Sequence, residues 1–102
     1  MPGSTGFVGI LSAELRFADA HSLKEKRMHV RSAKAQLQNR FGAAVAEVDY
    51  HDVWQRALLT LSVVTRDHGD AERLLADAER YLASREWELA ASQQRIVSLD
   101  DE

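Results

Sequence analysis

The chain has 102 residues, a formal net charge of −3 and no cysteine. This length suits one domain that can fold without disulfides or a structural metal. The lack of cysteine excludes disulfides, thiolate-bound zinc and a cysteine nucleophile. No apolar run approaches the roughly 20 residues of a membrane-spanning helix, and the small polar N-terminus lacks the pattern of a signal peptide. We therefore expect a cytoplasmic protein without a membrane partner.

The two ends of the chain differ in composition from the part between them. The first residues are small and polar, and the last three are acidic. Such ends are typically poorly ordered unless other groups hold them. We expect a flexible N-terminal tail over 1–6, a single domain over 7–99 and an acidic C-terminal tail over 100–102.

The first predicted element is a strand, because the residues from Phe7 to Phe17 fall on two faces that alternate with a period of two. One predicted face carries Phe7, Gly9, Leu11, Ala13, Leu15 and Phe17. The other carries Val8, Ile10, Ser12, Glu14 and Arg16. The first face is the candidate core.

A helix follows the turn after Phe17. Ser22 and Glu25 have the spacing of a capping box, which predicts a helix that begins at Ser22. Apolar residues then recur at helical spacing: Leu23, Val30, Ala33, Leu37 and Phe41. Gly42 is expected to end the helix in a left-handed conformation.

The remaining pattern predicts two strands, a helix and a last strand. Alternation favours strands over 45–50 and 56–66, the second with Leu59, Leu61 and Val63 facing inward. A second amphipathic helix starts at Asp67 or Asp70, and a weaker strand covers 88–99. The order βαββαβ predicts an α+β fold of the ferredoxin-like type, a four-stranded antiparallel sheet with two helices on one face.

The first predicted helix concentrates the positive charge of the chain. Residues 22–41 carry a local charge of +5, so that the rest carries −8. At 100° per residue, four cations fall within an arc of roughly 80°. They are Lys24, Arg27, Arg31 and Lys34, here called the basic stripe. Lys26 and Arg40 flank the stripe. Together these residues predict a binding site for nucleic acid or another anion. The alternative is a solvated basic face, or one whose charges pair with acidic residues of the second helix.

The sheet face away from the helices offers a different candidate. Its predicted residues include the apolar Val8, Ile10, Leu58 and Val64, which with Trp54 form a candidate interface for a homodimer. The central strand at 56–66 has no aromatic residue on which bases could stack. An RNA reader that uses this sheet face is therefore not expected.

A third candidate is a metal-dependent enzyme built around Glu47, Asp49 and His51, which would share one strand face. A strand edge that runs into a polar turn is the favoured interpretation. A general base at His51 is not expected either, since neither a nucleophile nor a Gly-rich phosphate loop accompanies it. We therefore predict no catalytic residue, no metal, no cofactor and no small-molecule ligand.

Two blocks of sequence carry a family resemblance. They are Ser22-Leu23-Lys24-Glu25-Lys26-Arg27, and Ala46-Glu47-Val48-Asp49 followed by Asp52, Trp54, Gln55, Arg56 and Ala57. In these blocks, and from about Phe7 to the last strand, the chain resembles the YlxP-like family of small bacterial domains. The resemblance implies a ferredoxin-like fold and a genomic setting beside translation-initiation and ribosome-maturation genes. It implies no active site.

Together these observations favour a non-enzymatic, cytoplasmic factor whose partner is RNA or a ribosomal subunit. The homo-oligomeric interaction module is the second hypothesis, and the metal-dependent enzyme is the third.

Overall fold

The computed structural model describes residues 5–85 and 87–100. Its elements are β1 (Phe7–Arg16), α1 (Leu23–Phe41), β2 (Ala44–Asp49), β3 (Arg56–Thr65), α2 (His68–Ser84) and β4 (Glu88–Val97). The sheet has the order β2-β3-β1-β4, and all of its pairings are antiparallel. α1 packs on β2, whereas α2 packs on β1, β3 and β4. The predicted ferredoxin-like α+β fold is confirmed.

The predicted tails lie only partly within this description. Residues 1–4 and 101–102 are outside the described residues. Thr5 and Asp100, one from each predicted tail, lie within the described part of the chain. The Thr5 hydroxyl donates a hydrogen bond to Asp100 Oδ2 at 3.2 Å, so the two ends of the domain meet.

Alternation in the two central strands divides the sheet into a core face and an open face, the latter being the face without helices. In β1 the side chains of Leu11, Ala13 and Leu15 are buried, as predicted. Their partners Leu59 and Leu61 in β3 are buried as well. Side chains that alternate in this way place half of each strand in the core and half on the open face.

Gly9 allows α2 to approach β1 closely. A Cβ atom at this position would lie 3.1 Å from Leu75 Cδ1 and 3.2 Å from Val63 Cγ2. These separations are tighter than ordinary van der Waals contact, so a larger residue would push the helix away from the strand.

A β-bulge at Val48 changes the predicted alternation of β2. Glu47 pairs with Leu59 on the core face, but Asp49 pairs with Leu58 on the open face. The extra residue in the bulge shifts every later side chain to the other face. The prediction that Glu47 and Asp49 share a face is therefore wrong.

Both predicted caps of α1 are confirmed. Ser22 Oγ accepts a hydrogen bond from the backbone N–H of Glu25 at 3.1 Å. Gly42 adopts a left-handed conformation with φ of 62°, and its N–H donates to the carbonyl of Gln38. Between the caps the buried positions are Lys26, Val30, Ala33 and Leu37, so that one charged residue lies on the core side.

The last strand is continuous despite its polar middle. Ser92 Oγ donates to Glu79 Oε1 at 3.1 Å, and Gln94 also donates to the Glu79 carboxylate. These hydrogen bonds between exposed side chains connect β4 to α2. Among residues 5–85 and 87–100, no helix is both long and apolar enough to cross a membrane.

Candidate nucleic-acid interface

The basic stripe lies on one exposed flank of α1. Lys24, Arg27 and Arg31 are exposed and Lys34 is half-buried. Within the described part of the chain, none of the four makes an ion pair or a side-chain hydrogen bond. The alternative in which acidic residues of α2 neutralise the stripe therefore finds no support in these contacts.

The flank that carries the stripe faces away from α2. Contacts to the α2 side come from His29, whose ring lies beside Trp87, and from Arg40, whose guanidinium lies over the ring of Tyr81. The stripe is turned away from these residues around the helix axis. Because α1 packs on β2, the edge strand, the stripe lies toward the free edge of the sheet.

A shallow groove of about 360 Å³ runs along this flank. Its lining residues are Arg27, Val30, Arg31, Lys34, Ala35 and Gln38. Three of the four stripe cations therefore border one concave surface, which a chain of phosphates could follow.

Arg40 does not belong to this surface, contrary to the prediction that it flanks the stripe. Its guanidinium carbon lies 4.7 Å from the ring centroid of Tyr81, and its Nε donates to Gln36 Oε1 at 3.2 Å. On the helix wheel it is roughly 140° from Arg27. Arg40 contacts α2 and is separated from the groove.

Lys26 is not a surface residue either, because its side chain is 0% exposed. Its Nζ lies 2.7 Å from Glu47 Oε2 and donates hydrogen bonds to the carbonyls of Tyr50 at 2.6 Å and His51 at 3.3 Å. This ammonium connects α1 to β2 and to the loop over 50–55. It is not accessible to a nucleic acid, so the predicted anion site is reduced to the stripe.

The start of α1 is occupied by its own cap. The N–H of Glu25 donates to Ser22 Oγ, and Glu25 Oε2 accepts the N–H of His21 at 3.0 Å. A carboxylate at this end of a helix already interacts with the positive end of the helix dipole. An incoming phosphate would consequently interact with the stripe side chains more than with the helix terminus.

The residues predicted as an apolar interface are split between different places. Val8 pairs with Val64 at one end of the open face, where Val64 is 77% exposed, and Ile10 lies beside them. Leu58 lies further along the strand, beyond the Ser12–Thr60 hydroxyl pair. Trp54 belongs to the loop between β2 and β3. The open face therefore has an apolar corner but not a continuous apolar surface.

The other end of the open face is charged. Glu14 accepts a hydrogen bond from Arg56 at 3.0 Å and lies 3.7 Å from Arg16. The Arg56 guanidinium lies 4.0 Å from the ring centroid of Tyr50. The hydrogen bond that Arg56 donates to Glu14 is the main cause that raises the pKa of Arg56 above its ordinary value, so the guanidinium stays charged. These contacts tie β1 to β3.

The proposed metal ligands do not converge. Glu47 faces Lys26, Asp49 Oδ1 accepts the N–H of Tyr50 at 2.7 Å, and His51 Nε2 lies 3.0 Å from the carbonyl oxygen of Glu47. In residues 5–85 and 87–100, no three His, Asp or Glu side chains are grouped as a metal ion would require. The bulge at Val48 is the physical reason for the divergence.

Comparisons with known proteins identify the family of this chain. The sequence pattern of the family described as "Protein of unknown function (DUF503)" matches residues 8–95. The chain is 32% identical over 68 residues to the uncharacterized protein YlxP of Bacillus subtilis (strain 168), covering 67% of this chain and 74% of YlxP. The de novo designed protein Foldit4 is similar in fold alone, with a TM-score of 0.50 and 11% identity over 89% of this chain and 97% of the design. The resemblance to the YlxP-like family is confirmed, and the chain belongs to the DUF503 family.

Proposed function

We propose that this chain is a non-enzymatic, cytoplasmic RNA- or ribosome-associated factor that binds phosphates through the basic stripe. The observation that carries the proposal is that four cations lie on one flank of α1 without an ion-pair partner among the described residues, in a chain whose net charge is −3. Such a local positive field attracts a polyanion even when the whole molecule is acidic.

The fold itself does not require this concentration of charge. Like charges three or four residues apart on a helix repel by a few tenths of a kcal/mol per pair. The cation that does stabilise the fold, Lys26, is a separate residue and has separate contacts. The genomic setting that the YlxP-like resemblance implies, beside translation genes, points to the same class of ligand.

Binding should depend strongly on salt, because phosphate contacts release counterions. With roughly four phosphates engaged, a plot of log K against log salt concentration should have a slope of about −3. Affinity should then fall about 60-fold between 50 and 200 mM salt. Fluorescence anisotropy with a labelled RNA measures this directly. A slope near zero, or no binding at 50 mM salt, would leave the stripe as a solvated face.

A homodimer formed through the apolar corner is the second candidate, favoured by the 77% exposure of Val64 next to Val8. It predicts self-association that persists in high salt and is lost in Val64→Lys. Sedimentation velocity over a range of protein concentrations measures it. A monomer at the highest concentration would eliminate this candidate.

A further inference from the structure

We propose that the ligand of the basic stripe is single-stranded RNA, with one unpaired base stacked on the indole of Trp54. This inference rests on the proposed function, since the stripe supplies the phosphate contacts. It adds a residue of the loop between β2 and β3 to the site and names the class of RNA.

Trp54 is available for stacking. Its side chain is 52% exposed, and within residues 5–85 and 87–100 it makes neither an aromatic nor a cation–π contact. The other tryptophan, Trp87, is buried against Phe17 and donates from Nε1 to His29 Nδ1 at 3.1 Å. The indole therefore offers a flat aromatic surface that a planar base can cover.

The loop that carries Trp54 is held in place on both sides of this residue. On one side, Lys26 binds the carbonyls of Tyr50 and His51, and the N–H of Val53 donates to the carbonyl of Tyr50 at 3.0 Å. On the other side, Gln55 Nε2 donates to the carbonyls of Ala18 and Ala20, both at 3.2 Å. A pre-ordered loop loses little conformational entropy when a ligand binds.

The same contacts bring the loop that carries Trp54 to the N-terminal end of α1, where the stripe begins. Lys26 is the direct neighbour of Arg27 and lies two residues from Lys24, within about 3 Å along the helix axis. From His51, whose carbonyl Lys26 holds, three residues of chain reach Trp54 and span at most about 10 Å. These bounds put the indole and the first stripe cations within the length of a few nucleotides of one strand.

This combination favours a single strand over a duplex. A duplex stacks its bases on one another, whereas an unpaired base can stack on an aromatic side chain and leave its phosphate to a nearby cation. Stacking tolerates any base, so little sequence preference is expected. The central strands offer no aromatic alternative on the open face, where Ser12 and Thr60 occupy the middle.

The test compares Trp54→Ala with Trp54→Phe, which keeps a stacking ring. The probes are a uridine 12-mer and a 12-base-pair RNA duplex, in anisotropy titrations at 50 mM salt. We expect Trp54→Ala to weaken binding of the single strand about tenfold and to leave binding of the duplex within about twofold of wild type. Trp54→Phe should retain most of the affinity for the single strand. The single strand should also quench the fluorescence of the wild type, with the buried Trp87 as a constant background.

The outcomes separate base stacking on Trp54 from phosphate binding by the stripe. If Trp54→Ala binds the single strand as tightly as wild type, base stacking is refuted while the stripe proposal stands. This is the result expected if Trp54 belongs to a protein interface instead. If the wild-type protein binds neither RNA, both proposals are refuted.

Discussion

Replacement of Lys26 by methionine is expected to destabilise the protein by about 3 kcal/mol, the low end of the range for breaking a buried ion pair. The side chain of Lys26 is 0% exposed and that of Glu47 only 18%. Methionine fills similar space but leaves the buried Glu47 Oε2 without its counter-ion and two loop carbonyls without this donor. Urea unfolding at neutral pH measures the free energy of unfolding.

Two variants make this result specific. Arg27→Met changes the adjacent exposed cation and should alter stability by no more than about 0.5 kcal/mol. The double variant Lys26→Met/Glu47→Met removes both charges and should be more stable than Lys26→Met alone. If Lys26→Met unfolds at the same urea concentration as wild type, Lys26 is not the connection between α1 and the loop that its contacts indicate.

Reversal of three stripe charges is expected to lower RNA affinity at least about 100-fold at 50 mM salt, because only one of four phosphate contacts survives. The variant is Lys24→Glu/Arg27→Glu/Arg31→Glu. It should remain folded, since all three side chains are exposed and make no ion pair among the described residues. Co-sedimentation with ribosomal subunits and anisotropy with RNA both measure the loss.

A matched control separates the stripe from net charge. Arg66→Glu/Arg73→Glu/Arg80→Glu changes three exposed arginines, one directly after β3 and two on α2 that pair with acidic neighbours on the same helix. Either triple variant lowers the formal net charge from −3 to −9. The control should lose far less affinity than the stripe variant. Equal losses would mean that binding reflects overall charge, and unchanged sedimentation of the stripe variant would refute the proposal.

Much of the fold was predictable because local signals and long-range packing agree. The alternation around Leu11 and Leu61, the Ser22 cap and the left-handed Gly42 each follow from one local rule, and all three are present in the structure. Agreement between local preference and tertiary contacts is typical of sequences that specify one fold.

The candidate site was less predictable because two of its features depend on tertiary contacts. Lys26 carries a charge, but it also occupies the gap in the helical spacing between Leu23 and Val30, which was the available sign of burial. Its partner could not be inferred, since alternation in β2 does not say which face of the strand packs on α1, and the bulge at Val48 then separates Asp49 from Glu47. Similarly, the separation of Arg40 from the stripe results from its contact with Tyr81 on α2.

RNA binding through the stripe can be tested in cells by ultraviolet crosslinking of the protein to RNA, followed by mass spectrometry of the crosslinked peptides. We expect nucleotide adducts on the stripe of α1 and on the loop that carries Trp54. Absence of retained RNA, or adducts confined to the open face around Val8 and Val64, would contradict it.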